Sequence, residues 1–135
     1  MKLIHIPVLM LSMAGFSATA DVARSQLTYG ISDREPIDNI MDEVVGEASQ
    51  VTTLYYFTAL QDLQGEQVVH RWYREGELMA EVSFTPTSDY WRTWSSKRLL
   101  PRWGGDWQVQ VWHGDTMIDS KTFRYTITPQ RYLSE

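Results

Sequence analysis

After residue 20, apolar and polar residues alternate along much of the chain. A period of two is the pattern of strands with one buried face. It is clearest from Val68 to Phe84, VVHRWYREGELMAEVSF. In the first arm Val68, His70 and Trp72 share one face, and Val69, Arg71 and Tyr73 the other. In the second arm Leu78, Ala80, Val82 and Phe84 share one parity, against Glu81 and Ser83. Glu75-Gly76-Glu77 separates the arms, and Gly76 can take the positive φ of a tight hairpin turn. The same reading gives strands from Val22 to Ile31, Gln50 to Leu60, Tyr90 to Leu99, Trp107 to His113 and Met117 to Thr128. Tyr90 to Leu99 leaves its inner face open, because Trp91/Thr93/Ser95 and Arg92/Trp94/Ser96 fit equally well.

The stretch from Ile37 to Ser49 follows another rhythm. Ile37, Ile40, Met41, Val44 and Val45 stand at helical spacing, with Pro36 as a start and Gly46 as a stop. We read it as an acidic loop with a short helical turn. About seven strands, spaced near the ~8–12-residue rhythm of all-β domains, predict an antiparallel β-sandwich of immunoglobulin-like type. Trp72, on the third main strand, is then its central core aromatic. A small closed β-barrel is the alternative.

The N-terminus changes the domain boundary. Lys2 is followed by the apolar run from Leu3 to Phe16 and by Ala18-Thr19-Ala20, a small-x-small cleavage signal. This is the pattern of a secretory signal peptide over residues 1–20, cut between Ala20 and Asp21. The apolar run is shorter than the ~20 residues of a membrane-spanning helix, so no membrane span is expected after cleavage. Residues 21–135 then form a single periplasmic or secreted sandwich domain.

Losing Lys2 takes the formal charge from −5 to −6, which argues against nucleic acid as a partner. The chain has no Cys, so an exported domain must rely on its core rather than on disulfides. Seventeen aromatic residues (six Trp, seven Tyr and four Phe) supply that core.

Candidate chemistry is sparse. His70 and His113 are the only histidines beyond residue 20, too few for a His-only structural zinc site. His70 shares its parity with Trp72 and is expected as a half-buried, hydrogen-bonded core residue. The acidic stretch from Asp33 to Glu47 lacks the ligand spacing and central glycine of a calcium loop. Ser95, Ser96 and Lys97 occur without a nucleophile-elbow motif. No catalytic residue, metal or cofactor is therefore expected.

Cations and aromatics are concentrated instead. Arg71, Arg74, Arg92, Lys97, Arg98 and Arg102 are interleaved with Tyr73, Tyr90, Trp91, Trp94 and Trp103. Arg71, Tyr73, Arg92 and Trp94 are expected to form a patch on one sheet, flanked by Lys97 and Arg98, as a ligand-binding surface. Arg–aromatic stacking and pairing with Glu77 or Glu81 within the sheet is the structural alternative.

Several pieces taken in order resemble a known bacterial family. They are Arg34-Glu35-Pro36, Tyr56-Phe57-Thr58, His70-Arg71-Trp72-Tyr73 with Gly76, Arg92-Thr93-Trp94-Ser95-Ser96-Lys97, and Gly105-x-Trp107-x-Val109-x-Val111, completed by Phe123. The family is the domain of unknown function 2914, and the resemblance runs from about Leu27 to about Ile127. It implies a stand-alone β-rich module, exported or attached to membrane or envelope proteins, and it implies no activity.

The combined expectation is a non-catalytic binding or interaction module of the cell envelope, whose partner is an envelope component or another exported protein. A structural accessory pairing through a sheet edge, and a cell-wall hydrolase using His70, are the alternatives. Export predicts a mature chain beginning at Asp21, which N-terminal sequencing of the protein recovered from periplasm or medium would show; a secreted chain that retains Lys2 would refute it.

Overall fold

The computed structural model describes residues 20–129. The signal-peptide expectation, apart from Ala20, and the end of the polar tail lie outside the described residues. The strands are β1 (Asp21–Thr28), β2 (Ile31–Ser32), β3 (Glu35–Pro36), β4 (Glu43–Glu47), β5 (Thr52–Gln61), β6 (Val68–Arg74), β7 (Glu77–Phe84), β8 (Tyr90–Leu99), β9 (Gly105–His113) and β10 (Thr116–Thr128). They form a three-stranded sheet ordered β1-β5-β8 and a five-stranded sheet ordered β4-β10-β9-β6-β7. β2 and β3 make a separate two-stranded hairpin. Two open sheets enclosing one core are a sandwich, and the closed-barrel alternative falls.

Alternation places the core. Val68, His70 and Trp72 of β6 point inward with Trp107, Val109 and Val111 of β9 and with Phe123 and Tyr125 of β10. Leu54, Tyr56 and Leu60 of β5, Leu99 of β8 and Leu27 of β1 meet them from the other sheet. Trp72 is fully buried, as expected of the central aromatic. It stands edge-on to Phe123 at 6.5 Å, and Phe123 stacks on Trp107 at 5.9 Å. Edge-to-face and stacked pairs are both favourable arrangements of the ring quadrupoles.

The β6–β7 turn forms as the sequence predicts, with φ +48° at Glu75 and +81° at Gly76. Glu75 bears the strain of a left-handed non-glycine position because β9 holds it. Its N–H donates to Asp106 O at 2.8 Å, and its carboxylate accepts from Asp106 N at 2.7 Å. The second arm departs from simple alternation. The ladder shifts between Trp72–Ala80 and Tyr73–Leu78, leaving Met79 as an extra residue. This bulge turns Leu78 outward, 48% exposed, so it does not share the face of Ala80, Val82 and Phe84.

The larger correction concerns residues 37–49. Glu43–Glu47 is strand β4, paired in parallel with β10, and the expected helical turn is absent. The helical spacing was accidental: Ile37, Met41 and Val45 are 60%, 69% and 54% exposed, while Val44 is fully buried. The chain reaches β10 after crossing the end of β1, where Ile40 N–H donates to Leu27 O at 2.8 Å. It then runs alongside β10 in the same direction, which among the described residues makes this the one parallel pair of an otherwise antiparallel fold.

Gly46 permits the close approach. A Cβ there would lie 2.7 Å from Tyr125 Cε1 and 2.9 Å from Thr52 Oγ1. The Tyr125 hydroxyl sits between Leu99 O at 3.3 Å and Thr52 Oγ1 at 3.5 Å, joining β10 to the other sheet. Overpacking this point predicts that Gly46→Ala lowers the unfolding free energy by about 1–3 kcal/mol. Val45→Thr, at the exposed neighbouring position, should stay within about 0.5 kcal/mol of wild type. Urea titration of both variants measures this, and equal midpoints would contradict the close packing.

Candidate functional site

His70 is wholly buried rather than half-buried. Its Nε2 lies 3.1 Å from Thr58 Oγ1 and its Nδ1 lies 2.7 Å from Ser95 Oγ. One tautomer satisfies every hydrogen-bonding group around the ring. Trp72 Nε1 is a donor only and gives its hydrogen to Ser95 Oγ at 3.0 Å, while Thr58 donates to Thr93 O at 3.4 Å. With Ser95 donating to Nδ1 and Nε2–H donating to Thr58, every member of the relay is satisfied by a neutral imidazole. Burial lowers the His70 pKa to about 3. A Ser–His contact of this kind resembles half of a hydrolytic triad. Here the imidazole is a poor base and both side chains are closed to a substrate, so the hydrolase alternative has no physical support in this site.

The predicted arginine–aromatic patch is divided. Arg71 and Tyr73 lie on β6 in the five-stranded sheet, whereas Arg92, Trp94, Lys97 and Arg98 lie on β8 in the three-stranded sheet. One patch on one sheet is therefore not formed. Within β8 the ambiguity resolves with Thr93, Ser95 and Leu99 inward and Arg92 and Trp94 on the outer face. Lys97 follows the inner parity at the margin of the sheet and places its ammonium 4.8 Å from the Trp103 ring. Arg98 is exposed.

On the outer face of the three-stranded sheet, Arg24, Ala59 and Arg92 are aligned across β1, β5 and β8. Ala59 is small, and Glu35 reaches over it from the β2–β3 hairpin. Its carboxylate accepts from Arg24 Nη1 at 2.9 Å and from Arg92 Nη1 at 3.2 Å. Partial desolvation opposes ionisation of Glu35, but the two guanidinium groups outweigh it and hold its carboxyl below the ordinary range. Arg34, at φ +63°, sets its guanidinium 5.8 Å from the Trp91 ring and 5.9 Å from the Trp94 ring. Arg24 lies over Phe57 at 5.0 Å. Phe57 and Ala59 face outward yet are completely buried beneath this cover. Arg24, Arg34 and Arg92 are thus engaged within the chain, through Glu35 and the aromatic rings rather than through Glu77 or Glu81.

Among the described residues nothing covers the outer face of the five-stranded sheet. Arg71 pairs with Glu81 at 2.9 Å and lies 5.1 Å from the Trp112 ring. Trp112 Nε1 donates to Gln110 Oε1 at 2.7 Å, and Gln110 Nε2 donates to Gln108 Oε1 at 2.9 Å. Because indole can only donate, both amide orientations follow from Trp112. The Gln108 amide nitrogen is left without a hydrogen bond among the described residues, as are the hydroxyls of Tyr73 and Thr122. Tyr73, Gln108 and Thr122 are cross-strand neighbours on β6, β9 and β10. With Glu75, Asp106 and Arg124 they line a depression of about 580 Å³. Gln108, Trp112 and Thr122 were missed in the sequence, although the period of β9 already placed Gln108 and Trp112 on its outer side.

Comparison with known proteins agrees with this architecture. Residues 65–125 match the model of the family described as Protein of unknown function (DUF2914), the family to which the sequence resemblance pointed. Arg34-Glu35-Pro36 and Tyr56-Phe57-Thr58 fall outside the matched residues, whereas β6 to β9 and most of β10 fall inside. The fold is similar to an immunoglobulin-like protein, PA1606 from Pseudomonas aeruginosa, with a TM-score of 0.53 and 14% identity, covering 82% of this chain and 99% of that one. It is also similar to the CARDB domain of the PF1109 protein from Pyrococcus furiosus, solved in complex with di-metal ions. There the TM-score is 0.51 and the identity 10%, over 83% of this chain and 99% of that one. No curated protein matches the chain. The protein is thus an immunoglobulin-like β domain.

The His70 relay makes stability depend on pH. The unfolded imidazole takes up a proton near pH 6.5 and the folded one only near 3. The unfolded state binds more protons between these values, so stability is full above the upper one and falls as pH is lowered through the window. At about 1.36 kcal/mol per pH unit, moving from pH 7.5 to pH 5 should remove about 2 kcal/mol. His70→Gln should begin less stable but show a much shallower slope there, since the group that binds its proton so differently in the two states is gone. Urea titrations of both proteins across this range measure the effect, and parallel slopes would refute the buried neutral histidine.

Proposed function

We propose that this immunoglobulin-like domain is an exported, non-catalytic binding module of the cell envelope, periplasmic or secreted, that contacts its partner through the five-stranded sheet. The observation that carries this reading is the contrast between the two outer faces. Arg92 and Trp94 take part in a cluster that covers buried Phe57. Tyr73, Gln108 and Thr122 line a depression and bring to it two hydroxyls and an amide nitrogen that no described residue engages. The signal-peptide pattern at residues 1–20 supports export. The volume of about 580 Å³ falls within the range of ~300–1,000 Å³ usual for small-ligand sites.

Partnership through a sheet edge is the lesser reading. β7 is an edge strand, and its bulge at Met79 and its charges at Glu77 and Glu81 are features that discourage edge pairing.

Retention of envelope extract and isolated cell-wall polymer on the immobilised protein tests the assignment. Tyr73→Ala/Gln108→Ala should lose the retained component, while Arg92→Ala/Trp94→Ala should keep it, provided circular dichroism shows both variants folded. The opposite pattern would move the site to the three-stranded sheet, and no retained component in any arm would remove the support for a binding module.

A further inference from the structure

Resting on the binding-module reading, we infer that the depression beside Tyr73 is a subsite for an uncharged saccharide. Its electrostatics narrow the ligand class first. Glu75, Asp106 and the adjoining Asp42 bring three carboxylates to the depression, and among the described residues Arg124 is the one cation lining it. Arg124 Nη1 donates to Asp106 Oδ1 at 2.8 Å, so it is not a free counter-charge for an anion. Anionic sugars, phosphates and carboxylates meet net repulsion there. Among the described residues no three His, Cys, Asp or Glu side chains are placed to hold a metal ion, so the carboxylates do not form a metal cage.

Backbone recognition is disfavoured as well. The depression lies over β6, β9 and β10, and β9 is paired on both sides. An added peptide strand needs unpaired backbone groups at a sheet edge, and the middle of this face has none to offer.

What the site does present is donors and acceptors side by side. The Gln108 amide can donate, the Tyr73 and Thr122 hydroxyls can do either, and the carboxylates accept. A sugar hydroxyl is likewise both donor and acceptor and can bridge such neighbours. The half-buried Tyr73 adds an apolar ring with a polar tip, suited to the C–H face of a pyranose and one of its hydroxyls.

Gln108 and Glu75 are also held in place before any ligand arrives. Gln108 is oriented through Gln110 by Trp112. The Glu75 carboxylate is fixed by Asp106 N–H, and Arg74 beside it donates to Gly104 O at 2.8 Å. Side chains already held by second contacts lose little freedom on binding, which matters most for a ligand that brings no charge.

The test is a ¹H–¹⁵N NMR titration of the purified protein with soluble oligosaccharides: maltohexaose, cellohexaose, xylohexaose and N-acetylchitohexaose. Spermidine and inorganic phosphate serve as charged controls. A saturable shift of the Gln108 side-chain amide and of the Tyr73 and Thr122 backbone amides, with at least one sugar and with neither control, is the expected result. Tyr73→Ala or Gln108→Ala should weaken that binding about tenfold, and Arg98→Ala, on the other sheet, should leave it unchanged. Shifts with spermidine and with no sugar would identify a cation site and overturn the inference. If no sugar shifts these resonances while retention of an envelope component still depends on Tyr73, the saccharide class falls and the binding-module reading stands. If both fail, neither survives.

Discussion

A hydrogen-bonded relay through the middle of an apolar core holds the two sheets of this sandwich in one register. Trp72 donates to Ser95, Ser95 to His70, His70 to Thr58, and Thr58 to the carbonyl of Thr93. Trp72 and His70 belong to β6, Thr58 to β5, and Ser95 and Thr93 to β8. Apolar contacts alone are not directional. A buried polar group left without its partner costs about 1–3 kcal/mol. Moving any of these strands by one residue would turn its polar member to the outer face and leave the others unpaired. Tyr56 adds a second tie, because its buried hydroxyl donates to Asp119 on β10.

The same relay accounts for a histidine and a serine in contact without chemistry. The bonds that order Ser95 and His70 also use their lone pairs and hydrogens. Burial among Tyr56 and Phe84 then disfavours the imidazolium. The pair serves the fold, which directs attention to the outer faces.

Those faces differ because of one short excursion of the chain. Residues 31–36 fold over the three-stranded sheet, where Glu35 links Arg24 to Arg92 and Arg34 lies against Trp91 and Trp94. Asp33 and Arg34 accept left-handed backbone, at φ +54° and +63°, to make that turn. Such positions cost roughly 1–3 kcal/mol each, opposed here by the arginine–aromatic contacts and the burial of Phe57 beneath them. Among the described residues the five-stranded sheet has no such cover, so its outer side chains remain available. Their order comes from within the sheet, along Trp112, Gln110 and Gln108.

Side-chain alternation is a local property of an extended chain, and it made most of the architecture legible. Seven strands, the β6–β7 turn at Gly76 and the inward faces of β6 and β9 follow from it directly. β4 was hidden because Val44 and Val45 are adjacent and Gly46 offers no side chain, so five residues carried no readable period. The inner face of β8 could not be read, since tryptophans occupy both parities and inward Thr93 and Ser95 look polar until His70 is seen beside them. The candidate surface was legible only in its residue types. Sequence distance says nothing about which sheet a strand joins, so Arg71 and Tyr73 were grouped with Arg92 and Trp94. Composition and alternation by themselves determined an all-β domain with a tryptophan-centred core. Pairing between distant strands decided which arginines are engaged under a cover and which aromatic residues face solvent, because that pairing is selected by burial and hydrogen bonding across the whole fold.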